Sequence, residues 1–320
     1  MRICPNQAKI VLADSMARLG EYAFNVALPA PAVYGQFREG TSPAQVLAGL
    51  LLIGFDYVFD VAFAADLVGR KIREAIRTAP ETRPLISAAC PAVVRLIQVR
   101  FPNLVEHMLP LISPMRAAAS IVRNRLAKET DLDQDEIGVW FITPCPGKVS
   151  AIYENAAGVR DMAISGAIPI AEIYPLLREK LVRDEEQARK IIEKLHPGSG
   201  LGVGWARSGG ENQSIGGAKQ IAVDGIHSVI QILEDVERGK LSDIDYIEAQ
   251  ACVGGCVGGV LTVENSFITR RRIRLIVTDE ADEIARVESD EVAIEALEHE
   301  DWFKHDRPIE PRPTLKLDND

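Results

Sequence analysis

The sequence predicts an α/β protein whose mostly parallel sheets are covered by helices. Short runs rich in β-branched and aromatic residues alternate with runs whose apolar residues recur three and four apart, the pattern of parallel strands joined by helical crossovers. Turns rich in proline or glycine follow the carboxyl ends of several strand-like runs, and cysteines stand in these turns. At 320 residues, 47% of them hydrophobic and 26% charged, the chain can bury a sizeable core, in two domains or in one large two-lobed domain.

Taken in order, Tyr22 to Leu28 reads as a strand ending in the turn Pro29-Ala30-Pro31. Ser42 is an expected N-cap, with Pro43 in the first turn of a helix through about Ile53. Tyr57 to Ala62 reads as a strand, followed by a helix to about Arg77. Leu85 to Ala88 is a short buried strand with Cys90-Pro91 at its carboxyl end, where a helix begins, and Ser113-Pro114 opens another to about Lys128. The acidic stretch Asp131 to Glu136 is the expected boundary between lobes. Beyond it come a strand from Gly138 to Thr143, the turn Pro144-Cys145-Pro146-Gly147-Lys148, and a further strand over Met162 to Ser165. Amphipathic helices follow over Ile168 to Leu181 and Glu185 to Leu195. Glycine-rich Gly198 to Gly217 precedes a helix from about Ala218 to Arg238, and a strand from Ile244 to Ala249 delivers the stretch EAQACVGGCVGG, Glu248 to Gly259.

A formal net charge of -10 makes nucleic acid an unfavourable partner, and the basic run Arg270, Arg271, Arg272 and Arg274 reads as a solvated or ion-paired face. Val46 to Val68 is apolar enough on count to suggest a membrane span, but Asp56, Asp60 and Asp66 would each cost about 2.5–3.5 kcal/mol near a bilayer centre. With no basic-then-apolar leader at the N-terminus, a cytoplasmic protein is expected.

The five cysteines are Cys4, Cys90, Cys145, Cys252 and Cys256, an odd and scattered set that does not suggest a disulfide framework. Cys252 and Cys256 flank Val253, Gly254 and Gly255, and glycine lets a backbone curl closely around a bulky group. Ligands of open α/β sheets bind beyond the carboxyl ends of the strands, where Cys90, Cys145 and this pair all lie. Four converging thiolates suit a [4Fe–4S] cluster; zinc, a disulfide and inert thiols are the alternatives. Cys4-Pro5 looks like the closing end of a ferredoxin-type motif, and the proline-rich C-terminus reads as a linker.

Three motifs, Ser87-Ala88-Ala89-Cys90-Pro91, Thr143 to Lys148, and Glu248 to Cys256, resemble in order the signatures of the iron-only ([FeFe]) hydrogenase catalytic domain. The resemblance covers about Val26 to Ile268. It implies a two-lobed fold, each lobe a mostly parallel sheet flanked by helices, with a cluster between the lobes. It divides the chain into a ferredoxin-like remnant at 1–20, lobes at 21–135 and 136–275, and a helical extension with linker at 276–320. By the same resemblance Cys90, Cys145, Cys252 and Cys256 hold a [4Fe–4S] cluster. Cys256 also bridges to a two-iron (2Fe) subcluster with CO, cyanide and dithiolate ligands. Lys148 and Pro31 would approach cyanides; Gly209 and Gly210 match a glycine pair near the subcluster, and Trp205 stands where phenylalanine is usual.

Departures carry equal weight. Ala89 replaces the cysteine that shuttles protons, Leu109 a serine of the same path, and Gly69, Arg70 and Lys71 fall in the region of its acidic relay. Ala32 replaces a serine, Gln250 and Thr143 replace methionines, and Met115 replaces a glutamine. A relay needs titratable groups within hydrogen-bond reach, so the usual chain is broken, leaving Glu211, Lys148 or water as a substitute route. The resemblance therefore points to the slow, sensory branch of the family, which acts on H2 and protons and passes its redox state to flanking electron-transfer or signalling domains. The competing expectation is a hydrogenase-like iron–sulfur assembly scaffold holding [4Fe–4S] alone.

Overall fold

The computed structural model describes residues 11–78, 82–154, 162–193, 195, 197–277, 287, 290–305 and 308–313. Cys4-Pro5 and the extreme C-terminus lie outside them. A first sheet has the order β2-β1-β4-β5, formed by Tyr57–Val58, Phe24–Pro29, Ile137–Thr143 and Gly166–Pro169. A second has the order β3-β7-β6, formed by Leu85–Ile86, Tyr246–Gln250 and Gln220–Asp224. All these pairings are parallel. Parallel neighbours need long crossovers, so each sheet takes strands from both sides of Glu136. The expected lobes, 21–135 and 136–275, therefore do not describe the sheets.

The first crossover helices are α1 (Pro43–Leu52), α2 (Val61–Thr78), α3 (Pro91–Arg100), α4 (Pro114–Glu129) and α5 (Pro146–Tyr153). Then come α6 (Ile170–Arg183), α7 (Glu185–Ile192), α8 (Gly200–Gly204), α9 (Gly210–Ile215) and α10 (Ile226–Glu237). α11 (Ser266–Ile276) and α12 (Glu291–Glu298) complete the described helices. Ser42 caps α1 as expected, accepting from Gln45 N while the Gln45 side chain accepts from Ser42 N. Removing that box with Ser42→Ala is expected to cost about 1 kcal/mol, read as a lower urea midpoint at unchanged slope.

Four expected boundaries move. The strand expected through Ala62 stops at Val58, because Asp60 Oδ1 accepts from Ala62 N and so starts α2 at Val61. The strand expected at Met162 to Ser165 is β5 at Gly166, where a side chain would strike Asp14 and the Trp140 ring. The helix expected from Ala218 starts only at Ile226, because Gln220–Asp224 pairs with β7 and Gly225 (φ 82°) turns the chain between them. Tyr246 rather than Ile244 opens the last strand.

The carboxylates that argued against a membrane span hold the core together. Buried Asp60 also accepts from Tyr34 Oη at 2.6 Å and Gly198 N at 2.8 Å, and Asp66 accepts from Ser199 N and Oγ. These bonds pin the glycine-rich segment onto α2, so closely that a side chain at Gly202 would strike the Ala62 carbonyl. Among the described residues no helix is long and apolar enough to cross a membrane. Of the arginine run, Arg271 pairs with Glu39 and Arg272 with Glu264.

Candidate metal centre

Four loops meet over the carboxyl ends of the strands. β1 leads into Pro31 and Ala32; β3 leads to Cys90, the N-cap of α3; β4 leads to Cys145, the N-cap of α5. β7 leads to Gln250, Cys252 and Cys256. Together with Ala89, Lys148, Met115, Phe141, Trp205 and Glu211 these residues wall one largely apolar cavity. All four described cysteines are free.

The cysteine loop takes its shape from glycine. Gly254 and Gly255 have φ of 84° and 91°, which side chains rarely adopt, and a β-carbon on Gly255 would press on Gln250 Oε1 and Ser208 N. A β-carbon on Gly259 would strike the Pro144 carbonyl, which already accepts from Leu261 N at 3.1 Å, so the Cys256 and Cys145 loops are locked side by side. Asp224 Oδ1 accepts from Gly254 N at 3.0 Å and ties the loop to β6.

Burial governs the charges. It pushes the Cys145 thiol up, that of Cys252 to about 12 and that of Cys256 further, each aided by repulsion from the neighbouring thiols. Burial pulls the Lys148 ammonium below its ordinary value. Lys148 Nζ donates to the Ala89 carbonyl at 2.8 Å, which sets the cation at the cavity wall. Burial thus favours the protonated thiol at Cys145, Cys252 and Cys256, and a metal that takes these sulfurs displaces a proton.

Among the described residues no three His, Cys, Asp or Glu side chains stand close enough to hold one metal ion. Four sulfurs on one zinc would lie about 3.8 Å apart, the edge of a tetrahedron with 2.3 Å bonds. Four cysteines that share one cavity fit a polynuclear cluster, in which each thiolate takes its own iron. Gln250 Oε1, buried and without a hydrogen-bond partner, marks the same cavity as polar ground for a ligand.

Pro31, Ala32, Ala89, Lys148, Trp205 and Gln250 all reach the wall. Thr143 does not; its hydroxyl accepts from Cys145 N at 3.1 Å and shapes the cysteine turn instead. Gly209 and Gly210 stand behind the wall. A side chain at Gly210 would strike the Gly204 carbonyl, and buried Glu248 accepts from Gly209 N and Asn212 N, both at 2.9 Å. This loop presents Glu211, whose carboxylate accepts from Ser87 Oγ at 2.8 Å and from Tyr246 Oη. Burial raises the acids of both Glu211 and Glu248. Sequence reasoning missed Glu248, Tyr246 and the wall residues Val61, Ala65 and Phe141. A carboxylate inside the apolar strand YIEAQ was the available signal for Glu248. Leu109 and Ile72 line a small apolar space with Glu211 and Tyr246, so no carboxylate leaves Glu211 on that side through these two residues.

A two-sheet parallel α/β fold with four cysteines converging on one cavity defines an iron–sulfur type of domain. The sequence matches the family described as "Iron only hydrogenase large subunit, C-terminal domain" over residues 24–220 and 209–260, and the chain belongs to that family. It is 26% identical over 299 residues to a Caenorhabditis elegans protein, described as the probable cytosolic Fe-S cluster assembly factor oxy-4, covering 80% of this chain and 65% of that one. It is 23% identical to the periplasmic [Fe] hydrogenase large subunit of Nitratidesulfovibrio vulgaris, covering 73% of this chain and 67% of the relative. The fold is that of the [FeFe]-hydrogenase HydA1 of Chlamydomonas reinhardtii: an apo variant superposes with a TM-score of 0.64 at 17% identity, over 88% of this chain and 93% of that one.

Proposed function

We propose that the chain is a slow, sensory-type hydrogenase domain. Cys90, Cys145, Cys252 and Cys256 would hold a [4Fe–4S] cluster, and the cavity beyond Cys256 a 2Fe subcluster. The carrying observation is the buried Lys148 ammonium at the wall of an apolar cavity that extends past the thiols to Pro31, Ala32, Met115 and Trp205. An anionic diatomic ligand in that cavity would offer the cation a charge-assisted hydrogen bond beyond the one it gives the Ala89 carbonyl. When bound, the subcluster supplies the reversible splitting of H2 into two protons and two electrons. The chain positions it, excludes water and moves protons. Ala89 offers no titratable group, and Glu211, hydrogen-bonded to Ser87 and Tyr246, is the acid at the wall that replaces it. Flanking electron-transfer or signalling domains would receive the electrons, and four free thiols suit a reducing cytoplasm.

A second reading is favoured by the C. elegans relative, whose description is an Fe-S cluster assembly factor: a scaffold holding [4Fe–4S] without the subcluster. Infrared spectra of chain matured with the two-iron precursor decide between them. CO and cyanide stretching bands are expected; an intact [4Fe–4S] cluster with no such bands would establish the scaffold.

A further inference from the structure

The C-terminal residues of the described chain touch three elements whose near ends stand at the cavity. α3 starts at Cys90 and α5 at Cys145. Their far ends are held by one segment, residues 308–313. In the last turn of α3, the Gln98 side-chain amide donates to the Glu310 carbonyl at 2.7 Å, and the Gln98 carbonyl accepts from Arg312 N at 2.9 Å. At the C-cap of α5, Glu154 accepts from the Arg312 guanidinium at 2.6 Å, with Arg95 of α3 3.5 Å from the same oxygen. Ile309 packs on the apolar cluster that contains Val93, Val94 and Ile97 of α3. Just upstream, the Phe303 carbonyl accepts from Ile112 N at 2.9 Å, two residues before α4 begins, and α4 carries Met115 in the cavity wall.

We infer that residues 308–313 form a strap that reads, at the far ends of α3 and α5, whether the cysteines at their near ends hold a cluster. The inference rests on the ligand assignment above. Without a cluster, nothing joins Cys90 to Cys145, and the N-termini of the two helices can shift against each other. Binding into one inorganic unit fixes their separation. α3 is stiff and about 15 Å long, so fixing one end also fixes the other. Among the described residues its anchors at the two far ends include two bonds to Gln98, the Ile309 side chain and the half-exposed Arg312–Glu154 ion pair. Exposed ion pairs contribute little. A short segment held in part by such a pair opens more readily than the core beneath it, and a change in its anchors alters how often it opens. Coupling of this kind is reciprocal, so a firmly seated strap also slows loss of the cluster.

Hydrogen exchange of the full chain, read by mass spectrometry, tests the inference, with iron and sulfide analysis reporting the loading. In the peptide containing residues 308–313, where Pro308, Pro311 and Pro313 carry no amide hydrogen, the Arg312 N–H bonded to the Gln98 carbonyl is expected to exchange about tenfold more slowly in loaded than in cluster-free chain. Gln98→Ala is expected to erase that difference and to speed iron loss to a chelator about tenfold, at unchanged circular dichroism. Equal exchange in loaded and cluster-free chain overturns the strap, as does unchanged iron loss in the variant. A chain that takes up no iron and sulfide overturns the ligand assignment, and the strap with it.

Discussion

Replacing Ala89 with cysteine is expected to raise hydrogen turnover of the matured chain about 10²-fold, the lower end of what a positioned acid–base group contributes. On the proposed reading, Ala89 stands where such a group would act. It precedes Cys90, lines the cavity, and its carbonyl holds the Lys148 ammonium at 2.8 Å. A groove lined by Arg95, Arg116 and Ser150 also reaches Ala89 and Lys148, so a thiol there would stand between the cavity and an approach from outside. Alanine can neither take nor give a proton, and cysteine adds one sulfur at a position already facing open space. The measurement is H2 oxidation with an artificial electron acceptor, in samples matched by their infrared bands. An unchanged rate at equal loading would mean that proton delivery at this position does not limit turnover, and the slow rate would then need another cause.

The cysteines were legible because each announces its own backbone. Cys90-Pro91 and Cys145-Pro146 place proline in the first helical turn with the cysteine as N-cap, and Cys252 and Cys256 flank glycines that only a close turn requires. The parallel α/β class was legible for a similar reason, since the alternation of short apolar runs and amphipathic helices is local. What the sequence left hidden is set by distant partners. β6 is a strand because β7 lies beside it, and from Gln220 to Asp224 nothing in the local pattern separates it from the helix that follows. The composition of the two sheets was hidden in the same way, because β1 pairs with β4 across more than a hundred residues and the acidic stretch at Asp131 to Glu136 is merely a connection. Thr143 was misplaced because one residue decides whether a strand end points into the cavity or turns the chain toward Cys145.

The second large effect concerns Glu211, which couples stability to pH. Its carboxylate is buried beside Ser87, Tyr246 and the Lys148 cation, and burial dominates, raising its acid above the ordinary carboxylate range. Folded chain therefore holds this proton at a pH where unfolded chain has released it, so over that window the native state binds more protons and stability falls as pH rises. The contribution is complete below the ordinary carboxylate value and is lost as pH climbs through the raised one. Glu248 is raised as well, by burial and then by repulsion from Glu211, and adds to the same slope. Glu211→Gln keeps an acceptor for Ser87 and Tyr246 but cannot ionise. Urea unfolding of cluster-free chain is expected to show the variant gaining about 2 kcal/mol on wild type between about pH 5 and about pH 8. In matured chain the same variant is expected to lose turnover by about 10²-fold, because the substitute acid is gone. The two measurements separate two roles. A flattened pH profile with unchanged turnover would leave Glu211 as a strained core acid and move the proton route to Lys148 or water. Loss of turnover with the infrared bands intact would place the relay at Glu211, on the same side of the cavity as Ala89, with Ser87 and Tyr246 as the next hydroxyls along it.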